Sequence, residues 1–416
     1  MYDVYIKEIG IDKVRHLERI TIPITDQEKK HLILTGKNGS GKTSLLQALS
    51  EHLNYWVMPG DFSKIGNRLE LYWKKIYSLK EQKDSENEIS QQELENNSKD
   101  KALTDAKEGL KLELNIPLNV LHTHFSEGDF ILAYYEATRK FDAVIPKHVE
   151  KVALKDNYGI SESPRNEFVK YILDLKMTEA LAMTSGKNER AEQIRKWFEN
   201  FEKLLKQIFD DDSVRLMFDE ETFAFTLHQD GREPFDFTQL SDGFSAILDI
   251  VVDIMVRMEK HLNGGLTFDL PGIVLIDEIE THLHLELQKN VLSFLTSVFP
   301  NIQFIVSTHS PFILSSASNA VIYDLENKTL VENGLTGLPY DGIVKGYFEV
   351  DDLSKVLRSK YDRYRELTGK QELSDDEIEE IAGLELYLDE IPDYLALGIT
   401  TEYKRLKAEF EKREDL

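Results

Sequence analysis

With 416 residues, 41% of them hydrophobic, the chain is long enough for one large or two modest domains around a sizeable core. Its 75 acidic against 50 basic residues give a formal charge of −25, which disfavours bare nucleic acid and favours a protein partner. No apolar run reaches the roughly eighteen residues that span a bilayer, the opening MYDVYIKEIG lacks a signal-peptide pattern, and without cysteine neither disulfides nor cysteine-held metal can form, so a cytoplasmic protein with no membrane contact is expected.

In chain order, residues 2–10 and 17–24 alternate apolar and polar and predict a β-hairpin. A strand over 31–35 runs into a glycine-rich loop, and a helix over 44–53 follows. Leu69, Trp73, Ile76 and Leu79 fall at helical spacing, and 81–101, with only Ile89 and Leu94 to bury, has the composition of a solvated tip. A helix is expected over 102–112 and a buried strand over 130–135. The block 163–209 reads as helical, with Ile194, Trp197, Phe201, Leu204 and Ile208 alternating in threes and fours along one packed seam. Short strands over 214–218 and 222–227, a helix from Ser241, a strand over 273–276, a helix near 284–298 and strands over 303–307 and 320–325 complete the main body. Beyond about 350 the chain is helical and acidic, with breaks at 373–375 and 391–392.

The loop Gly36, Lys37, Asn38, Gly39, Ser40, Gly41, Lys42, Thr43, with Ser44 opening the next helix, satisfies the phosphate-loop pattern between a strand and a helix. Glycines let successive amides turn inward around a β-phosphate. Lys42 would reach the β and γ oxygens, Thr43 would offer its hydroxyl to Mg²⁺, and the helix N-terminus adds its dipole. Residues 273–276 (IVLI) then deliver Asp277 and Glu278 at a strand end, where Asp277 would hold Mg²⁺ and Glu278 would polarise the attacking water. A third buried strand, FIVST, ends in His309. Two other groupings look superficially like metal sites. His282 and His284 beside Glu280 read as packing or interface residues, and the acids at 210–212 as a helix-end charge cluster.

Leu240-Ser241-Asp242-Gly243-Phe244-Ser245, ahead of the acidic strand, resembles the ABC signature LSGGQ with Asp at its third position and Phe at its fifth. With HLILTGKNGSGKTSLLQAL and LIDEIETHLH, the order of motifs resembles the ABC-type ATPases of the SMC/RecF/OLD-like class, and most of all the ATPase subunit of Septu-like (PtuA-like) bacterial anti-phage systems. The similarity covers about 1–55 and 213–325. It implies an α/β fold, a mixed sheet with flanking helices, carrying helical insertions and a helical C-terminal tail. The divisions it suggests are 1–60, 61–115 (helical insertion), 116–145, 146–212 (helical insertion), 213–335 and 336–416 (partner-binding tail).

The resemblance further implies ATP and Mg²⁺ held between two head-to-tail copies, within a dimer or a higher oligomer. Ser241 and Gly243 would complete the site in trans, His309 would sense the γ-phosphate, and Arg15 and His16 would touch the adenosine. It implies a separate nuclease effector, such as an HNH protein, with DNA reached through the complex. A repair clamp acting directly on DNA is the competing expectation, and a transporter is excluded because no glutamine stands in YYEATR, at the strand end where ABC proteins carry one. Arg139 there reads either as a substitute for that glutamine or as a surface arginine. These departures leave the turnover rate open.

Overall fold

A computed structural model describes residues 3–57, 109–139, 148–260, 268–332, 355–370, 373–389 and 397–410, together with 141, 143, 146, 334 and 335. The chain forms two compact units, Met1–Gly337 and Leu338–Leu416.

In the first unit, β1 (Ile6–Val14) and β2 (Leu17–Pro23) form the expected hairpin. On the other side of β1, β4 (Leu110–Leu114) pairs antiparallel, giving the order β2-β1-β4. The helix expected over 102–112 is therefore a strand from 110 onward. In LKLEL the period of two, leucines alternating with Lys111 and Glu113, overrides the helical reading. The helical readings between 58 and 108, including the polar tip, lie outside the described residues.

The second sheet runs β11-β10-β3-β9-β8-β5, from Thr329–Val331 (β11), Ala320–Asp324 (β10), His31–Thr35 (β3), Ile302–Ser307 (β9), Gly272–Ile276 (β8) and Ile131–Tyr135 (β5). All neighbours are parallel except β10 and β11. Its four inner strands are buried along their whole length, which is why their sequences are continuous apolar runs instead of alternating ones. Gly272 permits the closest approach: a Cβ there would stand 2.9 Å from the Ile131 carbonyl oxygen. Helix α1 (Lys42–Val57) lies between the two sheets, and Leu45, Leu46, Leu49 and Leu53 join one core with Ile9, Ile22, Leu32 and Ile305. Each such leucine is worth about 2 kcal/mol in area removed from water. Helix α2 (Leu118–Glu127), absent from the sequence reading, packs on α1 and ends at Gly128, whose φ of 82° supplies the left-handed cap.

The helical block divides into α3 (Phe168–Thr184) and α4 (Asn188–Phe209), broken around Gly186 at φ 73°. All five seam residues of α4 are buried. A separate hairpin pairs β6 (Arg215–Asp219) with β7 (Ala224–His228). Helix α5 (Asp242–Glu259) is apolar on nearly every side and almost wholly buried. Glu259 at its end accepts hydrogen bonds from Trp197 Nε1 at 3.0 Å and the Tyr171 hydroxyl at 2.5 Å, tying α5 to α4 and α3. Helices α6 (Leu285–Val298) and α7 (Pro311–Leu314) complete the unit.

The second unit contains α8 (Lys355–Thr368), α9 (Asp375–Asp389) and α10 (Leu397–Phe410), separated near the predicted breaks. Its own small core gathers Tyr364, Leu367, Ile381, Leu384, Leu388 and Tyr403. The Arg363 guanidinium grips Glu380 with two bonds of 2.9 and 2.8 Å. No described helix is long and apolar enough to cross a membrane.

Candidate nucleotide-binding site

Strand order assembles the site. Because β9 lies between β3 and β8, the parallel strands deliver three segments side by side at their C-terminal ends: the glycine-rich loop after β3, Thr308 and His309 after β9, and Asp277 and Glu278 after β8. That edge of an open α/β sheet is where ligands settle.

Three glycines of the loop adopt left-handed backbone angles, Gly36 at φ 130°, Gly39 at 84° and Gly41 at 102°. Gly41 also lies against the Leu17 side chain, which a Cβ would meet at 2.9 Å and push aside. Lys42 is buried and folds back to donate to the carbonyls of Gly36 at 2.8 Å and Lys37 at 3.2 Å. Burial lowers its pKa, while Glu278, Glu280, Asp277 and Asp324 oppose that shift. Thr43 is exposed and Ser44 half-buried at the start of α1. The Ser40 hydroxyl is buried without a hydrogen-bond partner, an orphan that a phosphate oxygen would satisfy. An oxygen-rich anion at the amides of this loop, with a hard divalent cation between Thr43 and Asp277, fits this donor set.

Asp277 is buried and Glu278 half-buried. The Ser307 hydroxyl donates to Asp277 Oδ1 at 2.5 Å and accepts from the Glu278 amide at 2.7 Å. Glu278 itself has a positive φ of 44°. Glu280 Oε1 accepts the His309 amide at 2.5 Å. The His309 ring is half-buried, and burial followed by the nearby Lys42 lowers its pKa, so the imidazole is neutral at neutral pH.

Ser241 occupies the N-cap position of α5, yet its side chain makes no capping bond and is exposed. Simple capping therefore does not account for it. Gly243 is buried, and a Cβ would meet the His282 carbonyl oxygen at 3.1 Å, so the start of α5 rests on the turn that follows Glu278. Arg15 and His16 lie exposed in the β1–β2 turn. His16 lines a cleft of about 810 Å³ with Lys37, Asn38, Gly39 and Ser40, whereas Arg15 turns to Gln47 at 3.4 Å.

Arg139 is no surface arginine: it is 4% exposed and donates to the carbonyls of Asp277, Glu278 and Ile279. Ser307 and Asp324 also escaped the sequence reading. Asp324 ends β10 beside Gly36 and accepts the amides of Glu326 and Asn327, and Glu326 in turn pairs with Lys37 at 2.9 Å. An acid at a strand end beside the glycine loop was the available signal. His282 and His284 are exposed, and the one ligand-like grouping among the described residues is elsewhere, at His124, Glu127 and Asp129.

Residues 154–315 match the family described as AAA domain, putative AbiEii toxin, Type IV TA system. The Septu protein PtuA of Bacillus mycoides (strain KBAB4) is 25% identical over 95% of this chain and 52% of its own length. The Retron Vc95 probable ATPase of Vibrio cholerae serotype O1 biovar El Tor is 25% identical over 72% of this chain and 70% of its own. The Retron Ec83 probable ATPase of Escherichia coli is 37% identical over a shorter stretch, 31% of this chain and 23% of its own. The chain thus spans about half the length of the Bacillus mycoides relative. Among solved structures, an SmcHead bound to the C-winged helix domain of ScpA aligns over 80% of this chain and 99% of that one at 14% identity and a TM-score of 0.37, too low to bear weight. With a glycine-rich loop and an acid turn side by side on one mixed sheet, the chain is similar to the Septu protein PtuA and to proteins named as probable retron ATPases.

Proposed function

We propose that the chain binds and hydrolyses ATP as a head-to-tail dimer and that its nucleotide state governs a partner nuclease in an anti-phage defence system. One observation carries the catalytic part: Lys42, Asp277, Glu278 and His309 converge at the C-terminal edge of one sheet although they come from three separate strands. In this reading the loop amides and Lys42 bind the phosphates, and Thr43 and Asp277 hold Mg²⁺, which supplies charge neutralisation. Glu278 accepts the proton of the attacking water. Neutral His309 donates toward the γ-phosphate. Ser241, exposed at a helix start with no side-chain capping bond, would meet the nucleotide of a second copy, and its free hydroxyl supports hydrolysis shared between protomers. Gly243 keeps that helix start against the acid turn.

The biological part rests on relatives named as Septu and retron proteins. A chain with a formal charge of −25 favours a protein effector over direct DNA contact. Lys42→Ala should abolish ATP binding, and Glu278→Gln should trap an ATP-bound dimer. Unchanged ATP affinity in the first, or a monomer with normal turnover in the second, would contradict the reading. Purifying the tagged protein with its genomic neighbours, with ATP and after hydrolysis, tests the partner. A nuclease retained and active in only one nucleotide state supports it; a lone protein that binds DNA with ATP would establish a DNA clamp instead.

A further inference from the structure

The segment Asp277 to Ile279 carries the acids of the site, and its backbone is unusual. Glu278 at φ 44° sits in the left-handed region, which a residue with a Cβ occupies only when its surroundings impose it. Thr281 contributes two bonds within the turn, from its amide to the Glu278 carbonyl at 2.9 Å and from its hydroxyl to Glu278 Oε2 at 3.3 Å. Ser307 holds the Glu278 amide. The carbonyls of the segment face the other way, into the protein, and there they meet one side chain.

Arg139 follows β5 by a few residues. Its Nη1 donates to the Asp277 carbonyl at 2.5 Å and to Glu136 in its own loop at 3.0 Å, and its Nη2 donates to Glu278 at 2.9 Å and Ile279 at 3.3 Å. Three consecutive carbonyls on one planar donor is a geometry a guanidinium can span and a lysine ammonium cannot. Every one of these acceptors is neutral, and Nε is buried without a partner. Compensation for the buried charge comes from a distance, chiefly from Asp249 on α5, a fully buried carboxylate that also pairs with Arg165 at 2.5 Å. All the direct bonding capacity of Arg139 that is used thus goes to loop and turn backbone.

We propose that Arg139 is a positioning residue for hydrolysis: its guanidinium fixes the three carbonyls of the acid turn, so that Glu278 keeps the left-handed conformation that sets its carboxylate near Lys42 and His309. Arg139 does not contact the nucleotide in this role; it acts through Glu278. The inference rests on the ATPase reading above.

The test compares the full-length wild type with Arg139→Lys and Arg139→Gln, alone and combined with Glu278→Gln. Measured quantities are kcat, KM, affinity for a non-hydrolysable ATP analogue, and hydrogen exchange of residues 277–281. Arg139→Lys, which keeps the charge and most of the stem, should lower kcat at least roughly tenfold, change KM by less than about twofold, leave analogue affinity intact and lose protection in the turn. Added to Glu278→Gln, it should lower residual turnover no further, because both changes remove one function. A wild-type kcat in Arg139→Lys, or losses that multiply in the double variant, would overturn the positioning role while leaving the ATPase reading standing. An inert wild type would overturn the ATPase reading and this role together.

Discussion

The Ser307 hydroxyl bridges the two acids of the site, donating to Asp277 Oδ1 at 2.5 Å while accepting the Glu278 amide at 2.7 Å. Strand β9 therefore fixes both the carboxylate that would hold the cation and the backbone of the residue that would activate water. Ser307→Ala leaves a part-buried amide and a buried carboxylate oxygen without this partner, a loss of about 1–3 kcal/mol. Urea unfolding should show that loss and ATP turnover should fall. Ser307→Thr, which restores the hydroxyl, should recover most of it. Unaltered stability in the alanine variant would mean that water replaces the bridge.

Gly243→Ala separates packing from catalysis. A methyl group there stands 3.1 Å from the His282 carbonyl oxygen, so the acid turn or the helix start must give by a few tenths of an ångström. The substitution also gains helix propensity, about 1 kcal/mol, which offsets the strain. Stability should accordingly change little, and turnover should fall severalfold. Turnover at the wild-type level would show that the contact has no bearing on the site.

Gly272→Ala should destabilise without any such offset. The new Cβ would lie 2.4 Å from Ile131 Cγ1 and 2.9 Å from the Ile131 carbonyl oxygen, and that carbonyl belongs to a paired strand. The side chain can rotate away; the backbone must open the β5–β8 pairing. A loss of about 1–3 kcal/mol in chemical denaturation is expected. An unchanged midpoint would rule out the close approach.

His31 predicts a pH dependence. It is buried at the start of β3, accepts the Phe304 amide on Nδ1 at 3.1 Å, and burial followed by Lys29 lowers its pKa from 6.5 to about 4. Between those values the unfolded chain binds a proton that the native one refuses, so this contribution is complete above the unfolded value and is lost as pH falls through the folded one. At about pH 5 the loss is roughly 2 kcal/mol relative to neutral pH. His31→Gln should remove that part of the slope between pH values of about 7.5 and 5. Parallel slopes for the two proteins would refute the assignment.

Contiguity decided what was legible in the sequence. The glycine loop, the acid pair and the signature segment are each encoded within a few neighbouring residues, so their chemistry shows before any fold is known. His309 drew notice only as the third strand end in the set, after the glycine loop and the acid pair. Arg139 and Ser307 were opaque because their partners lie 138 and 30 residues away, and nothing local distinguishes a buried arginine from an exposed one. Leu110 to Leu112, the start of a short alternating strand, was misread because the helical stretch expected before it was carried on too far. Helix α2 was overlooked because it is short and its buried face sets His122 among only two apolar residues, Leu121 and Phe125.

Glu259 closes the end of the signature helix against Trp197, whose indole N–H it accepts at 3.0 Å and whose ring stacks on Phe201 at 5.4 Å. An indole so placed is a fluorophore wired to α5. If that helix shifts against α4 when a second copy docks, the bond to the carboxylate lengthens and the emission changes. Trp197, one of three tryptophans in the chain, would then report on α5 without an added label once Trp56 and Trp73 are replaced.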